Sequence, residues 1–426
     1  MAIKNGIYRF ALIFLGGIVL GLIVYVKSKS VRDISLFLLI YTIFITTFEL
    51  SRLISAIFYH RSLRAIRKAN EGAAPYEPTV SFVIPCKNEE ATIHKTIIKC
   101  FEAEYPKEKL EVIVINDGST DRTGEVLYRM QERYPELKII DWKVNQGKRH
   151  GMTAGFNEAK GEIVVQLDSD SYIVPETFRK LIEPFRNPEI GAVCAHADPE
   201  NADENLITRM QAGYYFMSFR ILKAAESSFM TVFCCSGCSS AYRKSVVLPI
   251  MNTWLHEKFL GLPVTWGDDR ALTNWVLKLG YRTIYTDDAK AYTICPNSLR
   301  VFLKQQVRWK KGWFVNSLFA SKFVYRKYPF VGFTYFLPLI IVTLLTPFMA
   351  AKAFVYGPLV LGHSPIYYLL GVFLVAVLIT IFYRYVAPQN KYWKYVFLWS
   401  AINTFLLSFI LFYALARLKD RRWGTR

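Results

Sequence analysis

Three acidic clusters stand directly behind three short apolar runs. Val80-Ser81-Phe82-Val83-Ile84 leads into Pro85-Cys86-Lys87-Asn88-Glu89-Glu90, and Val112-Ile113-Val114-Ile115 into Asn116-Asp117-Gly118-Ser119-Thr120-Asp121. Ile163-Val164-Val165-Gln166-Leu167 leads into Asp168-Ser169-Asp170. Side chains two apart on an extended chain point the same way, so Asp168 and Asp170 can share one hard cation, Mg2+ or Mn2+, or a set of sugar hydroxyls. An Asp-x-Asp by itself is as readily a solvated turn, and Asp117-Gly118-Ser119 also reads as a turn and helix cap. Asn145-Gln146-Gly147-Lys148-Arg149-His150 sets a glycine beside two cations, a composition fit to approach phosphate.

Two later motifs add to these. Trp266-Gly267-Asp268-Asp269-Arg270 precedes a helical pattern from Ala271 to Leu279. Paired acids at a helix start suit a general base, and equally an ordinary acid-rich N-terminus. Gln305-Gln306-Val307-Arg308-Trp309 lies on an amphipathic stretch, Ser298 to Ser321. There Arg308 can hold a pyrophosphate and Trp309 can stack on a sugar ring. Lys310, Lys311 and Trp313 read as an interfacial belt of snorkelling cations and aromatics.

The elements that must position these residues are short strands alternating with helices. Strands are expected at 80–84, 112–115, 138–140 and 163–167, with helices over 91–101 and 124–133. That alternation predicts an α/β domain with a mostly parallel sheet and helices on both faces, its ligands at the carboxyl ends of the strands.

The rest of the chain is different. Of 426 residues, 52% are hydrophobic and only 20% charged, and the formal charge is +19. No Asp or Glu stands between Asp288 and Asp420, a stretch with fifteen Lys and Arg clustered between apolar runs. That is the signature of membrane segments with basic flanks, not of a nucleic-acid-binding tail. Since ~20 apolar residues span a bilayer, Phe10–Val26, Ile34–Phe48, Phe330–Ala351 and Ser364–Tyr383 are expected spans. Tyr395–Ala416 has basic residues at both ends and reads as a span or a re-entrant run. The flanks place the middle of the chain in the cytosol, in an integral protein of the plasma membrane. Seven cysteines, an odd number in a cytosolic unit, exclude a disulfide scaffold. Cys235-x-x-Cys238 has no second pair nearby to complete a zinc site.

In this order the motifs resemble the processive, membrane-embedded family 2 glycosyltransferases. Asn116-Asp117-Gly118-Ser119, Gly147-Lys148-Arg149, Asp168-Ser169-Asp170, Gly267-Asp268-Asp269 and Gln305-x-x-Arg308-Trp309 carry the resemblance, which covers essentially the whole chain. Within the family the chain is most similar to hyaluronan synthases, through Phe259 to Asn274 and the terminal Trp423-Gly424-Thr425-Arg426. Next come the Nod-factor chitin-oligosaccharide synthases. Cys238 stands where hyaluronan synthases are expected to carry Pro, and Lys223 where these relatives usually carry Glu, so the sugar stays open between the two.

The resemblance implies a GT-A type cytosolic domain inserted between transmembrane helices: spans in 1–60, the catalytic domain in 61–297 and an interfacial helix region in 298–328. Membrane segments follow in 329–416, and a cytosolic tail in 417–426. It implies inverting transfer from UDP-sugars to a growing β-linked polysaccharide that is exported, the alternatives being a chitin-type synthase using UDP-N-acetylglucosamine only or a non-processive transferase acting on a lipid-linked acceptor. The lipid bilayer is a further partner, with no nucleic acid and an open oligomeric state. Asp269 would be the base. Asp268, Trp309 and Gln305 would bind the acceptor. Pro85, Glu89, Asp117, Lys148, Asp168 and Arg308 would bind the donor, with Trp423 and Arg426 closing on it, and Asp170 would hold Mg2+ or Mn2+.

Overall fold

The computed structural model describes residues 2–31, 36–69, 72 and 74–420; within its helices the side chains of 2–6, 27–31, 36–40, 42, 43, 46 and 62–69 are outside that description. Among the described residues there are ten strands: β1 Val80–Cys86, β2 Leu110–Asp117, β3 Lys138–Trp142, β4 Ile163–Gln166, β5 Ser171–Ile173, β6 Ile190–Pro199, β7 Ser240–Arg243, β8 Lys258–Phe259, β9 Leu262–Pro263 and β10 Arg282–Thr293. Eight form one sheet in the order β3-β2-β1-β4-β7-β6-β10-β5, and β8 and β9 form a small hairpin.

The sheet is mixed. Four of its pairings are parallel, but β7 runs antiparallel to both β4 and β6, and β5 antiparallel to β10. β1, β2 and β4 are covered on both faces, which is why they read as unbroken apolar runs. Their side chains alternate between two cores. Phe82, Ile84, Val112 and Val114 join Ile93 and Ile97 of α3 (Ile93–Phe101) and Leu127 of α4 (Thr123–Arg133). Val83, Ile113 and Ile115 join Met152 and Phe156 of α5 (Lys148–Glu158).

The membrane-type helices dock on that second face. Among the described residues four helices are long and apolar enough to cross a membrane: Ile7–Val26 within α1 (Ala2–Val31), and, after α6 (Leu206–Met217), α7 (Asp268–Leu279) and α8 (Leu299–Ser321), the helices α9 (Pro329–Leu361), α10 (Ile366–Val386) and α11 (Lys391–Ala416). The second expected span falls in a different kind of helix, α2 (Leu36–Ala69), whose uncharged stretch ends at Glu49; its first two residues, 34 and 35, lie outside the described residues. α2 is pinned to the sheet by Tyr59, whose hydroxyl donates to the Tyr285 carbonyl at 3.0 Å and accepts from Asp287 N at 3.0 Å. Val19, Ile23 and Val26 of α1 pack on Leu374, Leu378 and Ile381 of α10. α8 lies between α7, through Trp275 and Phe319, and α11, through Phe302 and Trp399.

Candidate active site

All the expected site residues within the described part of the chain line one cavity of about 2390 Å³. Pro85, Glu89, Asp117, Lys148, Asp168 and Asp170 come from the carboxyl ends of β1, β2 and β4 and the start of α5. Asp268 and Asp269 come from the start of α7, and Gln305, Arg308 and Trp309 from α8. Trp423 and Arg426 lie outside the described residues.

Asp117 does two jobs. It faces the cavity, and its carboxylate oxygens accept the backbone N–H of Gln146 at 2.6 Å and of Gly147 at 2.9 Å. It therefore fixes the loop that delivers Lys148. Gly118 permits this approach. Its φ is +62°, and a Cβ there would lie 2.5 Å from Asn145 N. Across the site, Asn88 also sits at positive φ, 54°, and its Oδ1 accepts Thr120 N at 2.8 Å, tying the β1 loop to the β2 loop.

Lys148 Nζ is ion-paired with Asp168 Oδ1. Burial works to lower the Lys148 pKa, but Asp168, then Asp268, outweigh it, so the ammonium is held above its ordinary range and stays charged. A charged lysine that faces both a carboxylate and the cavity can exchange the carboxylate for a phosphate oxygen. Asp170 accepts Ser171 Oγ at 3.2 Å.

Gly237 links this half of the site to Asp269. Its carbonyl accepts Asp168 N at 2.8 Å and its N–H donates to Asp269 Oδ2 at 3.2 Å. Asp269 Oδ1 accepts Arg270 N at 2.9 Å, and the Cys234 thiol lies 3.7 Å from Oδ2. These donors are all uncharged. The turn that presents Asp269 depends on Gly267, in the left-handed region at φ +67°; a Cβ there would lie 3.0 Å from the Gly312 Cα of α8.

Trp309 is the near end of an aromatic row. Its ring lies 6.2 Å from Tyr214 of α6, which in turn stacks on Trp399 of α11 at 4.0 Å. All three line the cavity. Tyr214 and Trp399 carry no motif, and nothing in their sequence neighbourhood pairs them. Lys223, set by sequence only as a departure, also lines the cavity, its Nζ donating to the Cys234 carbonyl and to Ser236 Oγ at 2.6 Å.

Two readings from sequence change. Lys148 and Arg149 do not approach one anion together: successive helix residues diverge by about 100°, and Arg149 turns to Asp268 at 2.7 Å. The expected interfacial belt divides. Lys310 and Trp313 line the cavity, whereas Lys311 is buried, donating to the Asp420 carbonyl at 2.8 Å.

The family model described as Glycosyl transferase family 2 matches residues 81–248. A hyaluronan synthase of Streptococcus pyogenes serotype M1 is 29% identical over 358 residues, 83% of this chain and 84% of that one. An N-acetylglucosaminyltransferase of Rhizobium meliloti is 33% identical over 258 residues, 60% of each chain. Another, from Neorhizobium galegae, is 30% identical over 293 residues, covering 66% of this chain and 67% of its own. Among solved structures, a mannosyltransferase from Pyrobaculum calidifontis, determined with GDP-Man and Mn2+, superposes with a TM-score of 0.53 at 18% identity, over 90% of this chain and 99% of that one. The mixed sheet with its carboxyl-end cavity is thus a GT-A fold flanked by membrane-type helices, and the chain, a glycosyltransferase, belongs to glycosyl transferase family 2.

Proposed function

We propose that this glycosyltransferase is processive and inverting. It polymerises UDP-sugars into a β-linked polysaccharide and exports the chain through its own membrane helices. One observation carries the reading: the cavity does not stop at the sheet. It continues from Asp168 and Asp269 past Trp309 to Thr343, Thr346, Ser400 and Asn403 of α9 and α11. A sugar chain cannot shed its hydration in lipid without large cost, so a polar route is what export requires.

In this reading residues 61–297 are the cytosolic catalytic unit and the protein resides in the plasma membrane. Pro85, Glu89 and Asp117 hold the uridine. The acceptor hydroxyl attacks the anomeric carbon while its proton passes to Asp269, and the bond to the diphosphate breaks. Lys148 and Arg308 offset charge on the leaving UDP. Asp268 and Gln305 place the acceptor, whose ring lies on Trp309.

The carboxylates fit a resident Mg2+ or Mn2+. Asp168 and Asp170 offer hard oxygens on the cavity wall, and among the described residues no group of three or more His, Cys, Asp or Glu could enclose an ion. A site of one or two carboxylates, completed by water and phosphate oxygens, is what these ions accept. Bound there, the ion would neutralise diphosphate charge. Asp170 would hold it and Asp168 would stay near the donor.

The product we favour is hyaluronan-like, from UDP-N-acetylglucosamine and UDP-glucuronic acid. The helix-lined part of the cavity is bordered by Arg52, Lys310 and Lys352 against the acids Glu49 and Glu226, a small excess of cations that suits a polyanion. A second reading, a chitin-like product from UDP-N-acetylglucosamine alone, is supported by the rhizobial relatives. Purified enzyme in lipid, given UDP-sugars singly and in pairs, tests both. Long polymer that needs both donors supports the first reading, and polymer from UDP-N-acetylglucosamine alone the second. Polymer from UDP-glucose alone, or only single transfers, overturns both.

A further inference from the structure

Lys148 and Arg149 are neighbours whose head groups part. Lys148 reaches Asp168 on the donor side. Arg149 reaches across the fold: Nε donates to Asp268 Oδ1 at 2.7 Å, and Nη1 donates to the Trp254 carbonyl at 2.7 Å and to Glu257 Oε2 at 2.9 Å. The guanidinium lies 4.7 Å from the centre of the Trp254 ring. Glu257 is itself held, its Oε1 accepting Trp275 Nε1. The Arg149 and Asp268 side chains are 6% and 5% exposed.

We infer that Arg149 is a positioning residue for Asp269: it clamps Asp268 at the acceptor side and balances its charge, so that Asp269 is the carboxylate of the pair left to take the acceptor's proton. The inference rests on the proposed role of Asp269 as base. Two carboxylates stand side by side at the start of α7, and their partners differ in kind. One oxygen of Asp268, Oδ1, is engaged by the guanidinium through Nε in a charge-assisted bond. Among the described residues, Asp269 is held by the N–H groups of Gly237 and Arg270 and by the Cys234 thiol. Only the second arrangement leaves a carboxylate ready to take a proton.

The clamp also fixes geometry. Arg149 belongs to α5, which packs closely on β1 and β2: a Cβ on Gly155 would lie 2.3 Å from Val83 Cγ1. Asp268 lies 119 positions later, on the helix that carries the base. The pair therefore sets the distance between the donor half and the base. A misplacement of about 1 Å in such a constellation costs about 10²-fold in rate.

The test uses the full chain in lipid nanodiscs, with UDP release for kcat and donor KM and calorimetry for UDP affinity. Arg149→Met should lower kcat about 10²-fold while leaving donor KM and UDP affinity within about threefold. Arg149→Met/Asp268→Asn removes the stranded charge and should recover about tenfold of that loss. Wild-type kcat in Arg149→Met overturns the inference, and so does loss of UDP affinity in parallel with kcat. Failure of the double variant to recover overturns it as well. Should Arg149→Met not accumulate, the double variant decides alone: kcat about tenfold below wild type at unchanged UDP affinity supports the clamp, and wild-type kcat or weakened UDP binding rejects it. Asp269→Asn is run beside them. If it polymerises normally, the base assignment falls and the clamp with it. If it is inactive while Arg149→Met is unaffected, only the clamp falls.

Discussion

Trp399 stacks on Tyr214 with ring centroids 4.0 Å apart and planes inclined by 24°. One ring belongs to a membrane-type helix, α11, and the other to α6 of the sheet unit. The row they form with Trp309 is therefore built from both parts of the protein. Trp399→Ala should shorten the polymer and leave donor KM unchanged. A stacked aromatic pair contributes about 0.5–1.5 kcal/mol beyond its buried area, enough to loosen the acceptor without abolishing transfer. Gel sizing of polymer made at saturating donor checks this, and wild-type length would contradict it.

Asp269→Asn should abolish polymer formation with UDP affinity preserved. The substitution keeps the shape and the hydrogen bond from Gly237 N but removes the proton acceptor. Loss of a general base costs about 10²–10⁴ in rate. Near-normal polymerisation at full expression would remove Asp269 from that role.

Activity should require Mg2+ or Mn2+ and vanish with chelator, and Asp170→Ala should not be rescued by excess metal. The ground is a hard-oxygen pair that leaves most of a coordination shell to water and phosphate. Full turnover in metal-free buffer is the contrary result.

Lys310 gives a pH dependence. Burial pulls its ammonium down to about 8, so it is charged below that pH and neutral above it. If it borders the path of a uronate-bearing chain, polymer length should fall as pH rises from about 7 to about 9. Lys310→Arg, charged throughout, should remove the fall. The same shift stabilises the fold as pH rises, because above about 8 the unfolded chain holds the proton that the folded chain has lost. Unfolding through this group therefore cannot mimic the effect. An identical pH profile in Lys310→Arg would count against the acidic-chain reading.

The sequence showed the half of the sheet that is buried on both faces. β1, β2 and β4 are apolar runs with acids behind them, and those acids meet in one cavity. The other half was hidden for physical reasons. β6 is built of small residues, Gly191, Ala192, Ala195 and Ala197, β7 has only Ala241 and Tyr242 as apolar residues, and β10 carries Asp287 and Asp288. None shows a strand period. The motif residues could be found because each sits at the end of its own element. Arg149 with Asp268 and Tyr214 with Trp399 could not, because both pairings depend on how distant segments pack.

By length and composition α11 could cross a membrane. Its two ends, however, meet the same body. At the start Lys391 Nζ lies 2.5 Å from Asp203 Oδ2, just before α6. Past the end, Leu418 packs with Val264, Trp266 and Val315, and Lys311 donates to the Asp420 carbonyl at 2.8 Å. The Lys391–Asp203 pair is exposed and adds little stability, but it reports where the helix begins. A full crossing would separate these ends by about 30 Å of hydrocarbon, whereas Asp203 and Trp266 both belong to the sheet unit. Lys391, Lys394, Arg417 and Lys419 at the two ends also suit one cytoplasmic face. The polar residues Ser400, Asn403, Thr404 and Ser408 face the cavity, so they need not meet lipid. The tail should therefore lie on the catalytic side, beside the turn that carries Asp268 and Asp269. A Thr425→Cys variant in intact cells should resist a membrane-impermeant maleimide and react once the cells are opened, and Trp423→Ala should lose activity. Labelling from outside would place α11 across the bilayer and remove the tail from the site.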